Sequence, residues 1–205
     1  MIKGLKICGI TESETLNFII NHPYPPQFVG FITNYKKSKR FVDYDKLKEL
    51  VNVKKKNIKF VSVLVDPDDA ILEKIKNLNF DYYQLYDVDY KRTKEIKEKY
   101  QVKVITALTV NTKKDVNKYK DFLNLSEIIL FDGKGYEKSI GFDHKILDKL
   151  PSSLNKMIAG DIKIDDIPKF TDKDYIIDLS GALENEKGKK DIEKISKLLN
   201  LVNQK

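Results

Sequence analysis

The stretch Phe60-Val61-Ser62-Val63-Leu64-Val65-Asp66-Pro67-Asp68 decides the fold. An apolar run rich in β-branched and aromatic residues ends at a turn signal, Asp66-Pro67. Asp68 then reads as the N-cap of a following helix, since its carboxylate can accept from an orphan amide of the first turn. The unit is therefore a strand that passes through a turn into a helix. Comparable runs lie at residues 5–10, 28–32, 82–86, 102–108, 128–131, 156–159 and 175–179. Runs of this kind read as buried parallel strands. Several of the segments between them carry helical spacing. Leu47, Leu50 and Val51 share one face of residues 44–53, and Ile195, Leu198, Leu199 and Val202 share one face of residues 192–202. Thr112 is a second candidate N-cap.

Strand–helix alternation implies a parallel sheet. Eight runs, each followed by an intervening or closing segment of about 25 residues per unit, point to a compact (β/α)8 TIM barrel. A doubly wound open sheet is the rival. It usually opens on a Gly-rich turn, and no G-x-G-x-x-G follows the first run. No linker or composition break divides the chain, so residues 1–205 are expected to form a single barrel domain.

Composition narrows the function classes. With 41 % hydrophobic and 34 % charged residues, 9 Gly and 6 Pro, the chain is neither collagenous nor low-complexity. One cysteine cannot form an internal disulfide, which suits a reducing compartment. No apolar run approaches the roughly 20 residues of a membrane span, and the N-terminus lacks the apolar core of a signal peptide. A cytoplasmic protein without a membrane partner is expected. The net charge of +7 raises the question of nucleic acid. Lysine is spread through every segment, however, and only Arg40 and Arg92 supply the guanidinium that reads phosphates and base edges. No nucleic-acid partner is expected.

In a (β/α)8 barrel the reactive groups lie at the C-terminal strand ends. Polar or small residues there are Cys8, Thr33, Asp66, Asp87, Thr109, Asp132, Gly160 with Asp161, and Asp178 with Ser180. Each also has a plain structural reading, since an Asp that closes a strand often caps a turn. The histidines, His22 and His144, lie far apart, and Cys8 alone cannot complete a zinc set, so no metal is expected. Both histidines read as surface or packing residues.

The first strand discriminates among these. Lys6-Ile7-Cys8-Gly9-Ile10-Thr11 resembles the first strand of the phosphoribosylanthranilate isomerase family, K-I-C-G-[IL]-T. Further segments follow in family order. Gly30-Phe31-Ile32 with Ser38-Lys39-Arg40-Phe41-Val42 resembles G-F-[IV]-F…S-P-R-x-[IV]. Val63-Leu64-Val65-Asp66, Gln84-Leu85-Tyr86-Asp87 and Ile129-Leu130-Phe131-Asp132 resemble strands three, four and six. Ala159-Gly160-Asp161-Ile162 resembles A-G-G-[IL]. Asp178-Leu179-Ser180-Gly181-Ala182-Leu183-Glu184 with Gly188-Lys189-Lys190-Asp191 resembles the D-[VL]-S-S-G-[VI]-E…G-x-K-D ending. The chain departs from the pattern in places. Lys39 stands for Pro, Tyr86 for His, Asp161 for the second Gly, Gly181-Ala182 for Ser-Gly, and the shorter stretch 133–141 for a Gly-rich loop.

The resemblance implies an Amadori rearrangement of N-(5'-phosphoribosyl)anthranilate in tryptophan biosynthesis. It involves no redox change and no cofactor, and the substrate is a small phosphorylated sugar-amine. It implies Asp132 as general acid, Cys8 as general base and Arg40 as the anchor of the anthranilate carboxylate. A phosphate corner is implied after strands seven and eight, at Gly160, Ser180, Gly181 and Ala182, with Asp178 as a further substrate-binding residue. Read without the motif, Cys8 is a small buried hydrophobe and Arg40 a solvated charge, and the small residues make tight turns. Another phosphate-binding barrel of amino-acid biosynthesis, or a barrel that binds without catalysis, are the alternatives. The expected assembly is a monomer or a homodimer.

Overall fold

The computed structural model describes residues 2–133 and 140–203. Eight parallel strands form a barrel: β1 (Gly4–Cys8), β2 (Phe28–Ile32), β3 (Lys59–Val65), β4 (Tyr82–Tyr86), β5 (Lys103–Thr109), β6 (Ile128–Asp132), β7 (Lys156–Ile158) and β8 (Tyr175–Leu179). Each strand pairs with its sequence neighbours, and β1 closes on β8 through pairs such as Lys6 with Asp178. The open-sheet alternative is thereby set aside. The expected strand bounds agree to within two residues, and β2, β4 and β8 agree fully.

Alternation along the strands splits the apolar residues into two layers. Phe28, Val61, Ile105, Leu130, Met157 and Ile176 fill the barrel interior. Residues of opposite parity, among them Ile7, Phe31, Phe60 and Ile177, pack outward against the helices. The helices that cover this outer face are α1 (Ser13–Asn21), α2 (Tyr44–Val51), α3 (Asp69–Ile75), α4 (Tyr90–Tyr100), α5 (Lys113–Asn117) and α6 (Ile192–Asn203). The predicted faces of α2 and α6 are buried at Leu47, Leu50, Val51, Ile195, Leu198 and Leu199. Asp68 caps α3 by accepting from the Ile71 amide at 2.8 Å, and Thr112 sits at the N-cap of α5.

The layer is thinner after β6 and β7. There the covering elements are short 3-10 turns, His144–Leu147 and Ile164–Phe170. Pro168 inside the second of these lacks the amide a continuing helix needs. His144 packs between Phe142 and Phe170 and bonds the Ala159 carbonyl at 3.0 Å, while the His22 ring accepts from the Tyr24 amide. Among the described residues no helix is long and apolar enough to cross a membrane.

Candidate active site

A cleft partly open to solvent occupies the C-terminal mouth of the barrel. Cys8, Arg40, Asp132, Gly160, Asp178, Ser180, Gly181 and Ala182 all line it. The barrel thus brings the eight candidate residues onto one wall system, from strands or loops spread over the whole chain. The structure also separates them from the other strand-end acids. Asp66 and Asp87 are exposed and hold left-handed φ values of 40° and 55°, which marks them as turn residues. Of the loop expected over residues 133–141, residues 134–139 lie outside the described residues.

The floor of the cleft holds a charged pair. Lys6, 0 % exposed, donates from Nζ to Asp178 Oδ2 at 2.7 Å. Burial works against the Lys6 ammonium, yet the Asp178 carboxylate and the Cys8 sulfur hold its pKa above the usual lysine value. Burial likewise pushes the Asp178 carboxyl up, against the pull of Lys6. The second oxygen, Asp178 Oδ1, is buried with no hydrogen-bond partner among the described residues. A buried acceptor left open in this way is a ready partner for a ligand hydroxyl or amine. Gly30 makes the arrangement possible, because a Cβ there would lie 2.9 Å from Cys8 Sγ and 3.1 Å from Lys6 Nζ.

Removing one member of this pair has a large expected effect on stability. Lys6→Met strands a buried carboxylate, so unfolding should become easier by about 3–5 kcal/mol. Urea unfolding is the check. Adding Asp178→Leu to Lys6→Met should restore a large part of the loss, because the uncompensated charge is gone. A single Lys6→Met of wild-type stability would show that Asp178 is already neutral in the native barrel.

Cys8 ends β1 and is 8 % exposed, with its sulfur beside Lys6. Burial pushes the thiol up and Asp178 adds to the effect, while Lys6 and Lys190 pull the other way without cancelling it. Asp132 ends β6 across the mouth. Burial raises its carboxyl to about 6, with a further push from Asp178, against the Tyr86 hydroxyl, the Gly133 amide and Lys6. Tyr86 from β4 donates to Asp132 Oδ2 at 2.7 Å, and Gln84 Nε2 donates to the Tyr86 oxygen at 3.3 Å.

Arg40 lies in the loop after β2, and it is not a solvated charge. Its Nε and Nη2 form a fork on the two Glu184 carboxylate oxygens, the latter bond at 3.0 Å, and its side chain is 16 % exposed. The stem packs on the turn after β1. Gly9 there has φ of +78°, and a Cβ would meet Arg40 Cδ at 2.5 Å. The remaining guanidinium N–H groups are available to a further acceptor. Lys190 ties the same loop together, donating to Glu184 Oε1 at 3.0 Å and to the Ser180 carbonyl at 2.9 Å. Ser180 Oγ in turn donates to the Cys8 carbonyl at 3.0 Å.

After β8, Gly181–Leu183 make one 3-10 turn. Gly160 follows β7 with φ of +94°, and the space a Cβ would take is filled by the Gly133 amide and the Ile140 carbonyl. Asp161, exposed with φ of 51°, adds a carboxylate to this rim. Sequence reasoning did not single out four residues that hold the candidates in place: Lys6, Gln84, Glu184 and Lys190. Lys6 left a local signal, as a cation inside an apolar strand.

A closed barrel whose mouth is lined by buried titratable groups defines the class: this is a (β/α)8-barrel enzyme. The family model of N-(5'-phosphoribosyl)anthranilate (PRA) isomerase matches residues 5–201. The chain therefore belongs to the N-(5'-phosphoribosyl)anthranilate isomerase family, enzymes of tryptophan biosynthesis. It is 34 % identical to the N-(5'-phosphoribosyl)anthranilate isomerase of Campylobacter jejuni, over 95 % of this chain and 96 % of that protein. The fold matches the crystal structure of phosphoribosyl anthranilate isomerase from Thermotoga maritima with a TM-score of 0.84, at 24 % identity and 98 % coverage of both chains. It matches a second phosphoribosyl anthranilate isomerase structure with a TM-score of 0.82, at 23 % identity over 98 % of this chain and 97 % of that one. That protein is in complex with reduced 1-(o-carboxyphenylamino)-1-deoxyribulose 5-phosphate.

Proposed function

We propose that this barrel converts N-(5'-phosphoribosyl)anthranilate to 1-(2-carboxyphenylamino)-1-deoxyribulose 5-phosphate, with Asp132 as general acid and Cys8 as general base. One observation carries the assignment. Within the cleft, Asp132 with its carboxyl near 6 and Cys8 beside an ammonium face a common space from β6 and β1. A carboxyl tuned toward neutrality is suited to proton donation.

In this reading the Asp132 proton goes to the ribose ring oxygen. The C1'–O bond breaks as the anthranilate nitrogen lone pair forms a C=N bond. The Cys8 thiolate takes the C2' proton, and the released pair makes the enolamine, with its electrons returning to nitrogen. Tautomerisation delivers the ketone at C2'. Lys6 supports the step by holding positive charge against the sulfur. Asp178 Oδ1 accepts from a sugar hydroxyl. The phosphate lies against the loops after β7 and β8, at Gly160, Ser180, Gly181 and Ala182. The same reading takes residues 1–205 as one domain, working in the cytoplasm as a monomer or homodimer without metal or cofactor.

The direct test is the loss of anthranilate fluorescence when the purified protein is given phosphoribosylanthranilate. A steady signal with folded protein overturns the reading.

Arg40 is the proposed grip on the anthranilate carboxylate, through the N–H groups that Glu184 leaves unused. Arg40→Ala should raise KM about tenfold to a hundredfold, given roughly 1.5–3 kcal/mol for a charge-assisted hydrogen bond. Arg40→Lys should fall short of rescue because it loses the planar fork. On an aniline-based substrate with no carboxylate, wild type and Arg40→Ala should perform alike. An unchanged KM for the natural substrate would leave Arg40 only its structural bond to Glu184.

A further inference from the structure

We propose that Tyr86 is a positioning residue for Asp132: its hydroxyl fixes one carboxylate oxygen and leaves the other to carry the proton that the reaction uses. The inference rests on the reading of Asp132 as the general acid. It starts from the direction of two hydrogen bonds. Gln84 Nε2 donates to the Tyr86 oxygen, and the Tyr86 hydroxyl donates to Asp132 Oδ2. Both residues sit inside the barrel on β4, two positions apart, so the strand itself aligns the relay.

The phenol is buried, and burial beside the Asp132 and Asp178 carboxylates keeps it protonated far beyond neutral pH. It is therefore a donor in every protonation state that matters for turnover. A carboxyl whose Oδ2 accepts from a permanent donor places its own proton on Oδ1. The proton is thereby presented on one oxygen rather than shared between two. That is a gain in orientation.

Among the described residues, the groups that face Asp132 are few. Lys6 reaches it from β1, Asp178 from β8 and the Gly133 amide from the start of its own loop. Among the described residues, Tyr86 is the side chain that hydrogen bonds it. A bond donated to a carboxylate favours the ionised form, so Tyr86 opposes the upward push of burial and of Asp178. Without the hydroxyl the carboxyl rises further.

That sign gives a readout a purely structural tyrosine would not move. Of the acid–base pair, the productive forms hold one proton between Asp132 and Cys8. At low pH both groups are protonated and no base remains, so kcat/KM falls on the acid side with the apparent pKa of Asp132. The wild-type limb is expected at about 6. In Tyr86→Phe it should move up by about one pH unit, the size expected for losing a hydrogen bond to a charged group.

The experiment measures kcat/KM against pH for wild type, Tyr86→Phe and Gln84→Met, with Asp132→Asn assayed at neutral pH beside them. Gln84→Met keeps Tyr86 in place but removes the donor behind it, so its limb should shift in the same direction by a smaller step. It also decides the matter if Tyr86→Phe does not fold. A limb that stays at the wild-type position in the folded variants overturns the proposal. So does a rise in KM with no shift, which would make Tyr86 a substrate contact. Near wild-type turnover in Asp132→Asn would instead remove the general-acid reading itself.

Discussion

Cys8→Ala should leave a folded barrel that turns over about 10²–10⁴-fold more slowly than wild type, the usual contribution of one proton transfer. The substitution removes Sγ alone from a residue that is 8 % exposed, so the strand pairing of Cys8 with Gly30 is untouched. The expected damage is therefore to kcat, with KM within about threefold. Among the described residues, the neighbouring groups have other parts in this reading. Lys6 is a cation, and the Asp178 carboxylate is bonded to it through Oδ2. Cys8→Ser should be almost as slow, because an alcohol is ionised far less readily than a thiol in the same setting. Steady-state kinetics with a thermal midpoint on the same sample decide it. Turnover near wild type would make Cys8 the small buried hydrophobe that a lone cysteine often is.

The sequence made the fold legible because each unit repeats one local grammar of apolar run, turn and helix cap. The strands at 28–32, 82–86 and 175–179 were readable to the residue, since turn signals bound them on both sides. The covering elements after β6 and β7 were less legible, because short 3-10 turns leave no 3.6-residue periodicity to count. The site divides in the same way. Cys8, Arg40, Asp132 and the β8 loop announce themselves through motif order and meet in one cleft. What holds them does not, since it depends on pairs far apart in the chain. Arg40 and Glu184 are 144 positions apart, and Lys6 and Asp178 are 172 apart. Lys6 was the exception that local reasoning could have caught. A charge within an apolar strand must find a partner or shift its pKa. The solvated reading of Arg40 failed for a related reason: nothing local shows that a turn held open by Gly9 will bury its stem.

Asp132→Asn should also lower turnover by about 10²–10⁴-fold, yet it should not weaken the barrel. Asparagine keeps the shape and can still accept from Tyr86, but it has no proton to give the ring oxygen. The stability sign follows from the raised carboxyl. Folded Asp132 titrates at about 6, against roughly 3.9 in an unfolded chain. Between those values the folded state binds the proton that the unfolded state has lost, so wild type loses stability as pH rises from about 4 to above 6. The neutral amide pays no such penalty. Above pH 7 the variant should equal or exceed wild type in unfolding free energy, by up to roughly 2 kcal/mol. Below pH 4 the difference should vanish, since wild-type Asp132 is then neutral in both states. Urea melts at pH 4 and pH 8, with turnover measured on the same preparations, separate the two roles. A catalytic acid gives a slow enzyme whose relative stability improves with pH. A structural cap gives the reverse, with stability lost at both pH values and activity per folded molecule kept. The motif led to Asp132, but it is the burial of that carboxylate beside Asp178 that makes these two outcomes opposite in sign.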